Sequence, residues 1–166
     1  MRIFTAETLD EIGQIRILFR EYEAFLNVDL CFQGFEAELA GLPGRYAPPD
    51  GLLLLASEGP EPAGCAALRK LDKGVCEMKR LYVKPGFRGQ GLGTTLAKRL
   101  IDEAVQLGYH KMLLDTLDRL QTAMKLYESM GFVRIEPYYH NPLADVVFWK
   151  LDLLKLKQTE GCLRGG

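Results

Sequence analysis

Apolar residues at three- and four-residue spacing open the chain's most regular stretch: Ile12, Ile15, Leu18, Phe19, Tyr22, Phe25 and Leu26. That period predicts an amphipathic helix, with Thr8 or Asp10 available as its N-cap. Arg2 to Ala6 before it reads as a short edge-like strand, and Phe35 to Ala40 after it as a second, short helix. Gly41, Pro43, Gly44 and then Pro48-Pro49 stop that helix. Three strands follow, Leu52 to Ser57, Ala63 to Lys70 and Val75 to Val83, separated by Glu58-Gly-Pro-Glu-Pro and Leu71-Asp-Lys-Gly. Pro85 and Gly86 end the third. Gly91 to Gly108 carries Leu92, Leu96, Leu100, Ile101 and Ala104 on one helical face. Lys111 to Thr116 is strand-like, Leu120 to Met130 a helix ended by Gly131, and Phe132 to Ile135 and Asp145 to Leu153 the last two strands. The order of elements predicts an α/β fold in one domain over residues 1–153, with 154–166 a loose tail lacking apolar pattern.

Composition narrows the function classes. At 166 residues, 48% apolar and 26% charged, the chain is an ordinary globular one that buries roughly two thirds of its unfolded surface. Lys and Arg number 21 against 22 Asp and Glu, a balance unlike that of a dedicated nucleic-acid binder. Cys31, Cys65, Cys76 and Cys162 form no Cys-x-x-Cys pair and are too few for a disulfide framework. With only His110 and His140 beside them, no metal-ligand spacing exists. The N-terminus turns polar too soon for a signal peptide, and the longest apolar run, near Leu52 to Ala56, is far short of a membrane span. The expectation is a cytoplasmic protein without nucleic-acid or membrane partners; a homodimer is left open.

The chemistry concentrates in Arg80-Leu-Tyr-Val-Lys-Pro-Gly-Phe-Arg-Gly-Gln-Gly-Leu-Gly-Thr-Thr. A strand runs out, Gly89, Gly91 and Gly93 alternate, and a helix starts. Alternating glycines let successive backbone N–H groups converge, and the helix N-terminus and Arg88 add positive charge, which together suit a phosphate. A P-loop is excluded because Leu92, not Lys, follows Gly91. A dinucleotide fingerprint fails as well: its third glycine would fall at Thr94 or Leu96. On spacing alone, a glycine-rich turn with no ligand stays open.

Arg88, Gly91 and Gly93 nevertheless form Arg-x-x-Gly-x-Gly, which resembles the coenzyme-A pyrophosphate loop of the GNAT acetyltransferase superfamily. Glu77-Met-Lys-Arg-Leu-Tyr-Val-Lys-Pro looks like that family's fourth strand, and Leu126-Tyr-Glu-Ser-Met-Gly-Phe like its last helix and turn. The element order is similar to the family's over residues 1–153, as in bacterial-type members. The resemblance implies a mixed, mostly antiparallel sheet with splayed fourth and fifth strands and helices on both faces. It implies acetyl-CoA as co-substrate and no metal. The pantetheine arm would lie along the peptide groups of Leu81, Tyr82 and Val83, and the pyrophosphate against the N–H groups of Arg88, Gly89, Gln90, Gly91, Leu92, Gly93 and Thr94. A backbone N–H near Leu81 would polarise the thioester carbonyl.

Tyr127 matches the family tyrosine that faces the sulfur, where a phenol can protonate the departing thiolate. Periodicity alone reads it as part of a core stripe with Leu120, Ala123, Leu126 and Met130. Glu77 lies eleven residues before Arg88, the offset of the general-base glutamate in some histone-type members; it also reads as a strand-end charge. An amine of pKa about 10.4 must lose a proton before it attacks, so a base has work to do. Leu120 stands where many members carry Asn, which puts a side-chain contact to the cofactor in doubt. Pro137-Tyr-Tyr-His-Asn-Pro resembles a turn element of one bacterial group, and places Tyr139 and His140 as acceptor-pocket candidates or as an ordinary turn. Three functions follow: transfer of acetyl to a primary amine of a small molecule, amino acid or peptide; a coenzyme-A-binding sensor or partner-binding module without turnover; and acyl transfer through Cys31 or Cys76, for which no neighbouring His exists in sequence.

Overall fold

Four consecutive leucines, Leu52 to Leu55, cannot alternate between core and solvent. The structure, a computed structural model that describes residues 1–156, gives their strand two buried faces. Leu52 and Leu54 join one apolar cluster, Leu53 and Leu55 another. The sheet between these clusters has seven strands among the described residues: β1 (Arg2–Thr5), β2 (Leu52–Glu58), β3 (Glu61–Asp72), β4 (Val75–Val83), β5 (Lys111–Leu117), β6 (Val133–Ile135) and β7 (Val146–Asp152). Their order is β1-β2-β3-β4-β5-β7-β6, and every pairing is antiparallel except β4 with β5.

Helices cover both faces, as the resemblance implies. α1 (Leu9–Leu26) and α2 (Phe35–Ala40) press Ile15, Leu18, Phe19 and Phe35 onto one side. α3 (Leu92–Gln106) and α4 (Gln121–Ser129) press Leu96, Leu100 and Met124 onto the other. The cap of α1 is Thr8 rather than Asp10. Its hydroxyl accepts from the Glu11 N–H at 3.2 Å while the Glu11 carboxylate accepts from the Thr8 N–H at 2.9 Å, so two helix-start donors are satisfied reciprocally.

Boundaries moved where partners hold the ends. β3 starts at Glu61 instead of Ala63 because Glu61 and Pro62 stay in register with Glu58 and Ser57, leaving only Gly59 and Pro60 to turn. Short 3₁₀ turns at Cys31–Gln33, Gly44–Tyr46 and Pro85–Phe87 lie in stretches read as loops. Past β7, residues 153–156 are helical, with Leu153 buried and Leu156 packed on the core, where a loose tail was expected. The rest of that tail, residues 157–166 with Cys162, lies outside the described residues.

One irregularity positions everything that follows. β4 and β5 pair through Val75↔Lys111, Cys76↔Met112 and Glu77↔Leu113, and then part. Just beyond, β4 carries a bulge: Ala67 pairs with Lys79 and Cys65 with Tyr82, so Arg80 and Leu81 together oppose Ala66. Arg80 sits at φ 57°, a left-handed conformation uncommon outside glycine. A bulge bends and twists its strand, which carries the end of β4 away from β5 and splits the sheet.

Candidate active site

The split opens a cleft of about 640 Å³ between the end of β4, the start of α3, the end of β5 and α4. Leu81, Tyr82, Val83, Arg88, Gly89, Gly91, Leu92, Gly93, Thr94 and Tyr127 line it; Gln90, Glu77, Tyr139 and His140 do not. The cofactor-side candidates other than Gln90 thus share one wall, and the acceptor-side candidates stand behind or beside the cavity.

The wall at α3 is main chain. Gly89 and Gly91 both sit at φ 77°, and a Cβ added to either would meet no atom within 4 Å. Those glycines thus face open space, which suits the close approach of a ligand. Gly91 is the N-cap of α3 and supplies no side-chain cap, so the amide groups that open this 15-residue helix keep their capacity for an anion. Arg88 is held in place: its Nε donates to the Val83 carbonyl at 2.9 Å and its guanidinium lies 4.4 Å above the Phe25 ring. A phosphate-bearing group fits this cradle.

Tyr127 stands where α4 meets the split. It is buried against Phe132 and Trp149, with ring centroids 5.6 and 6.4 Å away, and its hydroxyl bonds to no other described residue. Burial pushes the phenol well above its usual pKa, and the neighbouring Tyr22 and Asp115 push in the same direction. The phenol therefore stays protonated at neutral pH. Met124 from the same helix is buried beside it, so the residue belongs both to a core stripe and to the cleft wall. Leu120, at the N-cap of α4, lines the cleft without making a side-chain cap, and its apolar side chain leaves no polar group where an Asn would place one.

The opposite wall is built of side chains, and of the network behind it the sequence flagged Tyr139 alone. Continuing the β4–β5 register, Lys79 and Asp115 fall two positions past the last pair, Glu77↔Leu113. The strands have parted there, and the Lys79 ammonium reaches across to Asp115 Oδ1 at 3.2 Å. The Tyr139 hydroxyl donates to Asp115 Oδ2 at 2.6 Å and receives a hydrogen bond from Asn141 Nδ2 at 2.8 Å. Arg80, its side chain 3% exposed, makes a fork to Glu38 of α2 at 3.1 and 2.7 Å and reaches the Gln33 side-chain carbonyl at 3.0 Å. Burial would raise the Glu38 carboxyl, but the Arg80 fork outweighs it and holds the group below its ordinary value. Asp115 behaves alike: burial raises it, the Lys79 charge and the Tyr139 hydrogen bond lower it further than that. Tyr22, half-buried on the α1 side, is pushed up to about 12 by burial, with Arg80 opposing and Asp115 assisting.

Glu77 takes a different place from the one expected of a base facing the acceptor. It is 1% exposed, with Oε1 held by Arg69 (2.7 Å from Nε, 2.6 Å from the second nitrogen) and Oε2 accepting from the Tyr138 hydroxyl at 2.6 Å. The reason is strand alternation: Cys76 and Met78 face the α3 side, which turns Glu77 to the α1 side ahead of the split, where β5 still covers it. His140 is exposed on the turn before β7. The missed residues left one trace in the sequence. Lys79-Arg80 puts two charges side by side in an otherwise alternating strand, the pattern of a bulge that turns both toward one side.

Among the described residues no group of three or more His, Cys, Asp or Glu is placed to hold a metal, and no helix is long and apolar enough to cross a membrane. Comparison with known proteins points one way. The model of the acetyltransferase (GNAT) family matches residues 16–132. An uncharacterized N-acetyltransferase of Schizosaccharomyces pombe is 44% identical over 147 residues, covering 87% of this chain and 90% of its own length. A GNAT family acetyltransferase from Staphylococcus aureus shares the fold with a TM-score of 0.76 at 19% identity, over 92% of this chain and 98% of that one. One from Elizabethkingia anophelis, solved with acetyl-CoA bound, is 26% identical with a TM-score of 0.54 over 62% of this chain and 76% of that one. The chain belongs to the GNAT acetyltransferase family and is an acyltransferase.

Proposed function

We propose that the protein transfers the acetyl group of acetyl-CoA to a primary amine of a small molecule, amino acid or peptide, by direct attack in a ternary complex. The observation that carries this reading is the split between β4 and β5, which joins the glycine cradle of Gly89 and Gly91 to the Tyr127 phenol in one cleft. Acetyl-CoA supplies an activated acyl group and a thiolate to be expelled. The amide groups of Arg88 to Thr94, Gln90 included through its backbone, hold the pyrophosphate, and the peptide edge of Leu81 to Val83 aligns the arm. As the neutral amine attacks the carbonyl and the C–S bond breaks, Tyr127, protonated and with a free hydroxyl, gives the thiolate its proton. The proton shed by the amine nitrogen passes through water to restore the phenol.

The surroundings of the cysteines favour direct attack over a Cys intermediate. Cys65 and Cys76 are buried, with burial pushing both thiols up, Cys76 to about 12, and none of Cys31, Cys65 and Cys76 lines the cleft. Glu77 takes a supporting part: between Arg69 and Tyr138 it fixes the turn that carries Tyr139 and Asn141. The test is a thiol-release assay with acetyl-CoA and a panel of amines, followed by initial-rate patterns. Intersecting lines support the ternary complex; parallel lines restore a covalent route; acetyl-CoA binding with no thiol release from any amine leaves the sensor.

A further inference from the structure

Resting on that reading, the structure assigns a class to the acceptor: we propose that the cleft takes a primary amine with an apolar body and no carboxylate beside the nitrogen, its ammonium docked on Asp115. Among the described residues, Asp115 is the only acidic one that lines the cleft. Its two oxygens offer about four lone-pair sites, and two are taken, by Lys79 at 3.2 Å and Tyr139 at 2.6 Å. Room for a further donor remains on a side chain that is 11% exposed, toward the cavity it lines.

The placement of Asp115 matches the chemistry of the transfer. It stands just past the parting of β4 and β5, and it lines the same cleft as Tyr127 of α4 and Tyr22 of α1. An ammonium brought there enters the cleft that the group assigned to the sulfur also lines.

The rest of that end argues against a carboxylate. Each cation there already faces an acid: Lys79 faces Asp115, Arg80 faces Glu38 at 2.7 Å, and Arg119 faces Asp145 at 3.6 Å while donating to the Leu26 carbonyl. Arg88 is committed to the glycine cradle at the other end. The Arg119 contacts draw the end of α1, the β5–α4 turn and the segment before β7 together. Leu26, Val28, Leu30, Leu143 and Val146, which those segments contribute, form the apolar lining. An acceptor carboxylate would meet cations whose charge an acid already matches, whereas an aliphatic or aromatic body meets surface of its own kind.

The experiment is calorimetric, on the full chain. CoA is titrated first, and the CoA-saturated protein then receives phenethylamine, hexylamine, phenylalaninamide and phenylalanine. Phenethylamine and phenylalaninamide should bind at least tenfold more tightly than phenylalanine, which differs from them only in its carboxylate. Asp115→Asn should weaken phenethylamine at least tenfold while leaving CoA affinity within twofold. Phenylalanine binding as tightly as phenethylamine, or an Asp115→Asn protein that keeps its amine affinity, overturns the assignment. The wild-type comparison decides alone if the variant does not fold. Failure to bind CoA overturns the acetyl-transfer reading as well; CoA binding with the wrong amine preference overturns this inference only.

Discussion

The two ends of the cleft are built from opposite materials. At the start of α3 the wall is backbone: glycines at positive φ, an uncapped helix terminus and one arginine stacked on an exposed aromatic. At the parting of β4 and β5 the wall is side chain: Lys79, Asp115, Arg80, Gln33 and Asn141, backed by Glu38 and Tyr139, with Lys79 and Arg80 buried and the others partly so. A backbone wall suits a group that every ligand of the site would share, as the proposed pyrophosphate contact requires. A side-chain wall can be altered residue by residue without disturbing the loop, which is where acceptor preference belongs.

Tyr127 sits where the two ends meet, and its loss should have the largest effect. Tyr127→Phe removes a hydroxyl that bonds to no described residue and keeps the ring packed on Phe132 and Trp149. We expect kcat to fall by about 10²- to 10⁴-fold with thermal stability unchanged and KM for acetyl-CoA little affected. Steady-state kinetics beside a melting curve separates this from the core-stripe role, in which kcat would stay at the wild-type value.

The second expectation concerns the side-chain end alone. Arg80→Met leaves the largely buried Glu38 carboxylate without its cation and with the Tyr46 hydroxyl, at 2.8 Å, as a remaining partner. Breaking such a pair costs up to about 3–5 kcal/mol. Urea unfolding should show that loss. Arg80→Met combined with Glu38→Leu removes both charges and should recover most of it, since a pair replaced by apolar groups is often neutral. A single variant as stable as wild type would mean that the network contributes geometry and no stability.

How far each end was legible follows from the same contrast. Gly89, Gly91 and Gly93 advertise themselves because a sequence records a missing side chain directly, and the helix that begins at Leu92 follows from local periodicity. The fold order was legible for the same local reason, down to the helix face of Leu92, Leu96 and Leu100. The Lys79–Asp115 pair joins residues 36 apart, and Arg80 with Glu38 joins residues 42 apart. Neither distance is written in any window of sequence, because only the parallel register of β4 with β5 and the position of α2 create them. Glu77 stands off the cleft lining for one physical reason: an offset from Arg88 counts residues, whereas strand alternation ahead of the split turns Glu77 to the α1 side, onto Arg69 and Tyr138.

The backbone end can be broken with one methyl-bearing branch. Gly91→Val should lower acetyl-CoA affinity by about tenfold to a hundredfold. The new side chain enters space that no protein atom occupies, and φ 77° adds strain of about 1–3 kcal/mol. Gly86→Val is the control: it too meets nothing within 4 Å, but it needs no positive φ and does not line the cleft. Calorimetry with circular dichroism reads both. Equal affinities for the two variants would remove the cradle from Gly91.

The smallest expected effect is on the pH dependence of stability, and it separates the ends most cleanly. Glu38 and Asp115 have folded-state pKa values below the ordinary carboxylate value. The unfolded chain therefore takes up protons first as pH falls, so the stabilisation is fully present above about pH 5 and drains away as pH drops through 4 and below. Each unit of depression is worth about 1.4 kcal/mol. Glu11, Asp29 and Glu36 are also lowered, at the solvent-exposed surface where screening is strong, so wild type alone does not isolate the network. The comparison of variants does. Arg80→Met with Glu38→Leu should flatten part of the fall between pH 5 and pH 3 in urea unfolding, and Gly86→Val should leave it untouched. An unchanged slope in the double variant would show that the Glu38 carboxyl is not held down by Arg80. The charge pairing of that wall would then have to rest on Lys79 and Asp115 alone.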